Sequence, residues 1–146
     1  MASTKELQEQ IVGNMHRWKK IEDASVASTV KIMEDTDNEL IRLVMEIIQR
    51  DSQTHHQVQE FIASTLEHRP VGITPEEMTK VWSGIEHHIE IEKKAMDMAK
   101  ENLEALKGKK MVVQEYLLNY LLEDEEKHNK MLETLDKIKG GMYPYG

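Results

Sequence analysis

Residues 117–135 read LLNYLLEDEEKHNKMLETL, and one face of that stretch decides the fold class. Leu117, Leu121, Glu125, His128, Leu132 and Leu135 follow one another at steps of four, four, three, four and three. That is the spacing of a single stripe along an α-helix. Two of the six residues are ionisable. A carboxylate and an imidazole are costly to bury beside leucines unless something satisfies them. A metal ion does so economically, because Glu oxygen and neutral His nitrogen are both common ligands and an i, i+3 pair points one way. The plainer reading of this E-x-x-H is a solvated pair on a helix whose core face lies one residue over, through Leu118 and Leu122.

Three further amphipathic segments precede this one. The first opens at Ser3, with Glu6 placed to complete a capping box, and its stripe runs Leu7, Ile11, Met15, Trp18, Glu22, Ser25, Thr29, Ile32. Asp35-Thr36-Asp37-Asn38 reads as a turn and a new N-cap. The second stripe is Ile41, Val44, Ile48, Asp51, His55, Val58, Ile62, Thr65, closed by Arg69-Pro70-Val71-Gly72. Thr74-Pro75-Glu76-Glu77 is a strong helix start, although Ser83-Gly84-Ile85-Glu86 offers a second one. The third stripe is Ile85, His88 or Ile89, Glu92, Met96, Ala99, Leu103, Leu106, ending at Gly108-Lys109-Lys110. The spacing predicts helices near 4–34, 38–67, 75–107 and 111–139, with the last stopped by Gly140-Gly141 and a non-helical tail over 140–146. Four such helices joined by short turns are expected to form one all-α domain, a four-helix bundle spanning 1–146.

Composition sets outer limits. The chain has 146 residues, a net charge of −8 with the two signs intermixed, and no cysteine. An acidic, evenly mixed surface disfavours nucleic-acid binding, which needs a basic face. Without cysteine there is no disulfide, no thiolate-ligated zinc or iron–sulfur centre and no thiol nucleophile. No apolar run approaches the ~20 residues of a membrane span, and the polar start, Met1 to Glu6, shows no secretory signal. A cytoplasmic protein is expected.

Each stripe carries ionisable residues near its midpoint: Glu22 in the first, Asp51 and His55 in the second, Glu92 with His88 nearby in the third, Glu125 and His128 in the fourth. At ~1.5 Å of rise per residue, these positions share one level of a bundle. Four carboxylates converging in an apolar interior repel strongly unless cations neutralise them. Taken singly, each residue has a plainer account. Glu22 sits in a Lys-rich stretch, Asp51 and His55 suit an intrahelical pair, and His88 suits a hydrogen-bonding or exposed position. His56 and His87 lie off the stripes and read as surface. The methionines and Trp18 and Trp82 read as packing residues, with Tyr116 and Tyr120 flanking the carboxylate layer.

The order Glu, then a carboxylate with His, then Glu, then Glu125-x-x-His128 resembles the ferritin-like superfamily, in particular rubrerythrin-type di-iron carboxylate proteins. The match is close in the second half, through Glu92, Glu125 and His128. It is looser in the first, where Asp51-Ser52-Gln53-Thr54-His55-His56 lacks E-x-x-H and either Asp51 with His55 or Gln53 with His56 stands in its place. The resemblance implies one or two iron ions, with manganese or zinc as alternatives, held by Glu22, Asp51, His55, Glu92, Glu125 and His128. It implies redox chemistry with dioxygen or peroxide, of ferroxidase or peroxidase type, with electrons from an external donor.

That family also implies a crossover along the bundle between the second and third helices. Arg69 to Ile73 reach at most about 3.5 Å each, too little for that span. The connection therefore borrows from Ala63 to Lys80, or the bundle is up-down-up-down, or helices exchange between subunits of a homodimer. The rival expectation is a non-catalytic helical bundle acting as an interaction or stress-associated structural protein with a degenerate metal site.

Overall fold

The computed structural model describes the backbone of residues 1–142 and the side chains of residues 1–138. The chain is all-α: helices α1 (Thr4–Glu34), α2 (Glu39–Glu67), α3 (Pro75–Leu106) and α4 (Val112–Met142) follow in order, and no strand occurs among the described residues. The helix starts follow from side-chain capping. The Ser3 hydroxyl accepts from the Glu6 amide at 3.1 Å while Glu6 Oε2 accepts from the Ser3 amide at 2.9 Å. The Thr74 hydroxyl and Glu77 carboxylate repeat this exchange at 3.1 and 2.8 Å, and Asn38 caps α2 by accepting from the Ile41 amide at 3.0 Å. Each cap satisfies amide groups that the first helical turn leaves without partners.

Of the two candidate starts for α3, Thr74 is the one used, and the helix passes through Ser83-Gly84 without a break. Gly108, at φ 74°, ends the α3 region in the left-handed conformation that suits glycine. Gly140-Gly141, in contrast, does not stop α4, which continues to Met142. Glycine lowers helix propensity by about 1 kcal/mol but imposes no steric bar. The rest of the expected tail, Tyr143 to Gly146, lies outside the described residues.

Two compact units make up the chain, Met1–Val71 and Gly72–Gly146, each a pair of antiparallel helices. In the first, His16 meets Glu67, Ser25 meets Ser52 and Arg42 reaches the Thr36 carbonyl, so rising numbers on α1 meet falling numbers on α2. In the second, a groove brings Asp136 near Trp82, while Glu92 meets His128. The connection between the units keeps both helices intact up to Glu67 and from Pro75; neither unwinds within Ala63 to Lys80 to lengthen it.

The buried stripe of α2 differs from the expected one. Ser52, Gln59 and Ala63 are buried, whereas Asp51, His55 and the large residues Ile41, Ile48 and Val58 are exposed. The contact face is fixed where Ser25 and Ser52 touch through their hydroxyls at 2.8 Å, one residue round the helix from Asp51. The adjacent stripe of small and amide residues takes the contact. His56, expected at the surface, consequently turns toward α1, 3.5 Å from Asp23. Among the described residues the buried apolar set comprises Met15, Ala63, Met78 and Ala99. No helix among the described residues is long and apolar enough to cross a membrane.

Thr74→Ala removes the cap of α3 and is expected to lower stability by about 1 kcal/mol, and Gly108→Ala to cost a similar ~1 kcal/mol through its positive φ. Both are measured by urea unfolding of the full chain.

Candidate metal centre in the second hairpin

Glu92 projects from the middle of α3 into the seam with α4, where its side chain keeps only 7% of its exposure. Burying a carboxylate is expensive unless hydrogen bonds or cations receive it. One oxygen is well provided for: Glu92 Oε1 accepts from His88 Nε2 at 2.8 Å, one turn back on α3, and lies 3.5 Å from His128 Nδ1 on α4. The other, Oε2, is buried and finds no hydrogen-bond donor while Glu125 is ionised.

Helix α4 brings Glu125 and His128 to the same place. One ligand atom from each of Glu92, Glu125 and His128 lies within 4.8 Å of the others, and Glu125 Oε2 is 3.8 Å from His128 Nδ1. The imidazole is held from its far side as well, since His128 Nε2 lies 3.4 Å from Asp124 Oδ2, and Asp124 is in turn paired with Lys127 at 2.7 Å. This arrangement turns Nδ1 toward the two glutamates and Nε2 toward Asp124, the way a carboxylate orients a metal-ligating histidine. With Glu92 at 7%, Glu125 at 26% and His128 at 41% side-chain exposure, the cluster is closed at its α3 end and open at its α4 end.

The two glutamates divide one proton unequally. Hydrogen bonding with Glu125 holds Glu92 below the ordinary carboxylate range, with help from His88 and His128 and against its own burial. The same hydrogen bond pushes Glu125 up, as do burial and the negative charge of Glu92. Glu125 therefore carries the shared proton in acid. Once that proton leaves, two carboxylates face each other in a half-dry seam, and a divalent cation is the group whose charge cancels theirs.

The first hairpin holds the other expected residues in a different arrangement. Glu22 is buried on α1, 3.4 Å from His55 Nδ1, and accepts from the Gln59 amide nitrogen at 3.3 Å. Asp51 is exposed on α2, because the seam runs through its neighbour Ser52. Of the six residues expected as ligands, the structure thus brings together Glu92, Glu125 and His128 in one hairpin and Glu22 with His55 in the other. Two participants escaped the sequence reading. Asp124 was legible as i−4 to His128, and Gln59 as i+4 to His55, but neither polar position distinguishes itself until the seam is known.

No protein-family model, curated protein or solved structure matches this chain.

The pH dependence of the apo protein has a definite sign. Glu125 has a raised pKa, so its contribution to stability is complete below the ordinary carboxylate pKa and is lost as pH rises through the raised value. Glu92 is depressed, so its contribution is present above the ordinary pKa and is lost as pH falls through the lower value. Glu125→Gln retains an N–H donor for Glu92 and removes the second charge. In chelator at pH 7, this variant should melt at a higher temperature than the parent, with the gap narrowing in mild acid. A lower melting temperature at pH 7 would show that the two carboxylates do not oppose each other there.

Proposed function

We propose that the chain is a ferritin-like metalloprotein whose second hairpin holds a redox-active divalent ion, iron in the first instance, between Glu92, Glu125 and His128. The observation that carries this reading is the buried Oε2 of Glu92, which finds no donor while Glu125 is ionised, beside a second carboxylate and an imidazole already turned toward it. The donor set fits: carboxylate oxygens and a neutral imidazole suit Fe, Mn and Zn, and two carboxylates match a divalent charge. Iron there would supply electron transfer toward dioxygen or peroxide, the ferroxidase or peroxidase type of reaction, with electrons from an external donor.

The residues of the chain have separable tasks in this scheme. Glu92 offers a fixed oxygen from the closed end, since His88 restrains its other oxygen. Glu125, at 26% side-chain exposure, would offer an oxygen in its ionised form from the more open end. Asp124, 3.4 Å from Nε2 of His128, leaves Nδ1 facing the two glutamates. The open side at His128 admits small reactants.

Protein purified without chelator is expected to contain close to stoichiometric iron or manganese by elemental analysis, and Glu92→Ala/Glu125→Ala to contain none. Metal at about one hundred times its Kd should stabilise the parent by about 2.7 kcal/mol, and Asp124→Ala should weaken binding about 10- to 100-fold. Absence of metal, with no thermal shift after anaerobic Fe(II) addition, would leave a non-metal role. Consumption of Fe(II) and oxygen, or of peroxide, by the loaded protein tests the redox part.

A second, compatible reading is association with another copy of this chain. Large apolar side chains stand out on both hairpins, including Trp18 at 49% and Phe61 at 56% exposure, with Met98 and Val112 in the second. A homodimer, with or without helix exchange, is therefore expected by sedimentation equilibrium, and Trp18→Glu/Phe61→Glu should shift it to the mass of one chain. A parent that already sediments as one chain at high concentration would count against it.

A further inference from the structure

The two hairpins present similar polar seams with two differences: Glu125 stands where the first hairpin has His55, and Asn129, in the place of Gln59, donates its amide to Glu133 of its own helix at 3.1 Å rather than to the buried glutamate. A seventy-residue offset carries Glu22 onto Glu92, His55 onto Glu125 and Gln59 onto Asn129. Glu22 and Glu92 are both buried at the middle of the first helix of their unit. Glu92 faces a second carboxylate. Glu22 faces an imidazole and an amide instead, with Gln59 Nε2 donating to its Oε1 at 3.3 Å and His55 Nδ1 at 3.4 Å from the same oxygen.

From this difference we infer that the first hairpin is closed to divalent metal ions and that Gln59 is the residue that closes it, so that the chain takes up one ion rather than two. The inference rests on the metal reading of the second hairpin for its count, and on the first hairpin's own residues for its cause.

The physical reason is charge and orientation. Glu22, neutral His55 and Gln59 sum to one negative charge, against two for Glu92, Glu125 and neutral His128. A divalent ion in the first seam would stay half-neutralised while losing its water, and desolvation then outweighs attraction. Gln59 also points the wrong end inward. Its nitrogen, which cannot ligate, meets Glu22, while its carbonyl oxygen is buried without a partner. Turning the amide to offer that oxygen would set it against the carboxylate it now serves. The amide hydrogen thus occupies, beside Glu22, the role proposed for a cation beside Glu92. Asp51 does not supply the missing charge because it is exposed on α2, and Asp23, one residue on from Glu22, is engaged by His56 at 3.5 Å.

Gln59 is buried to 3% and differs from Glu only by the amide, so Gln59→Glu places a second carboxylate opposite Glu22 without changing shape. Calorimetric titration of the full chain with Co(II), read together with visible absorption for ligand geometry, separates the possibilities. The parent is expected to bind one equivalent, with Kd unchanged by Glu22→Gln or His55→Ala and binding lost in Glu92→Gln/Glu125→Gln. Gln59→Glu is expected to bind two, and to revert to one when His55→Ala is added. In the Glu92→Gln/Glu125→Gln background, Gln59→Glu should restore one equivalent, which reports on the first hairpin whether or not the second binds metal. Should Gln59→Glu lose helical circular dichroism, Gln59→His supplies a neutral ligand at the same position and is expected to show the same gain. Two equivalents in the parent, a single equivalent weakened by Glu22→Gln, or no equivalent gained by folded Gln59 variants would each overturn the role of Gln59. A parent that binds nothing while Gln59→Glu gains one equivalent would overturn only the metal reading of the second hairpin.

Discussion

A carboxylate enclosed between two helices has to be answered by a donor or a cation, and the structure depends on how that demand is met at Glu22 and at Glu92. Both are buried to within a tenth of full enclosure although each lies between only two helices of its unit. Leaving such a group unanswered costs more than a typical single contact contributes. In the first hairpin the answer is internal: an amide and an imidazole from α2 reach the carboxylate. In the second, His88 and His128 answer one oxygen only, and the neighbouring Glu125 adds charge of the same sign. The second seam is therefore satisfied in acid, where Glu125 keeps its proton, and electrostatically loaded at neutral pH.

Small residues share the seams with the buried carboxylates: Ser25 lies against Ser52 in the first hairpin, with Ala63 further along α2 and Ala99 on α3. Leucines such as Leu103, Leu118 and Leu132 are half-buried.

Helix number, the helix starts and the caps were legible because they depend on neighbours within a few residues: Ser3 with Glu6, Asn38 with Ile41, Thr74 with Glu77; the end of α4 was not, since Gly140-Gly141 does not stop it. The three residues of the second seam were legible for a similar reason. Glu125 and His128 are one turn apart on one stripe, and Glu92 interrupts the stripe of α3 near its midpoint. The first seam was not legible in the same way. Helix α2 carries two adjacent stripes, one of large apolar residues through Ile48, Asp51, His55 and Val58, and one of small and amide residues through Ser52, Gln59 and Ala63. Periodicity weighs the larger side chains more heavily and so favours the stripe that lies outside the contact.

What the amino-acid order determined unaided is local: four helices, their beginnings, and the presence on each of an ionisable interruption at mid-length. Which of those interruptions meet, and through which atoms, was decided by the packing of α1 on α2 and of α3 on α4. A rotation of a helix by one residue, about 100°, exchanges Asp51 for Ser52 in a seam and a carboxylate for a hydroxyl. No spacing rule along a single chain resolves that choice, because the energy that settles it is the fit of side-chain volume between two helices.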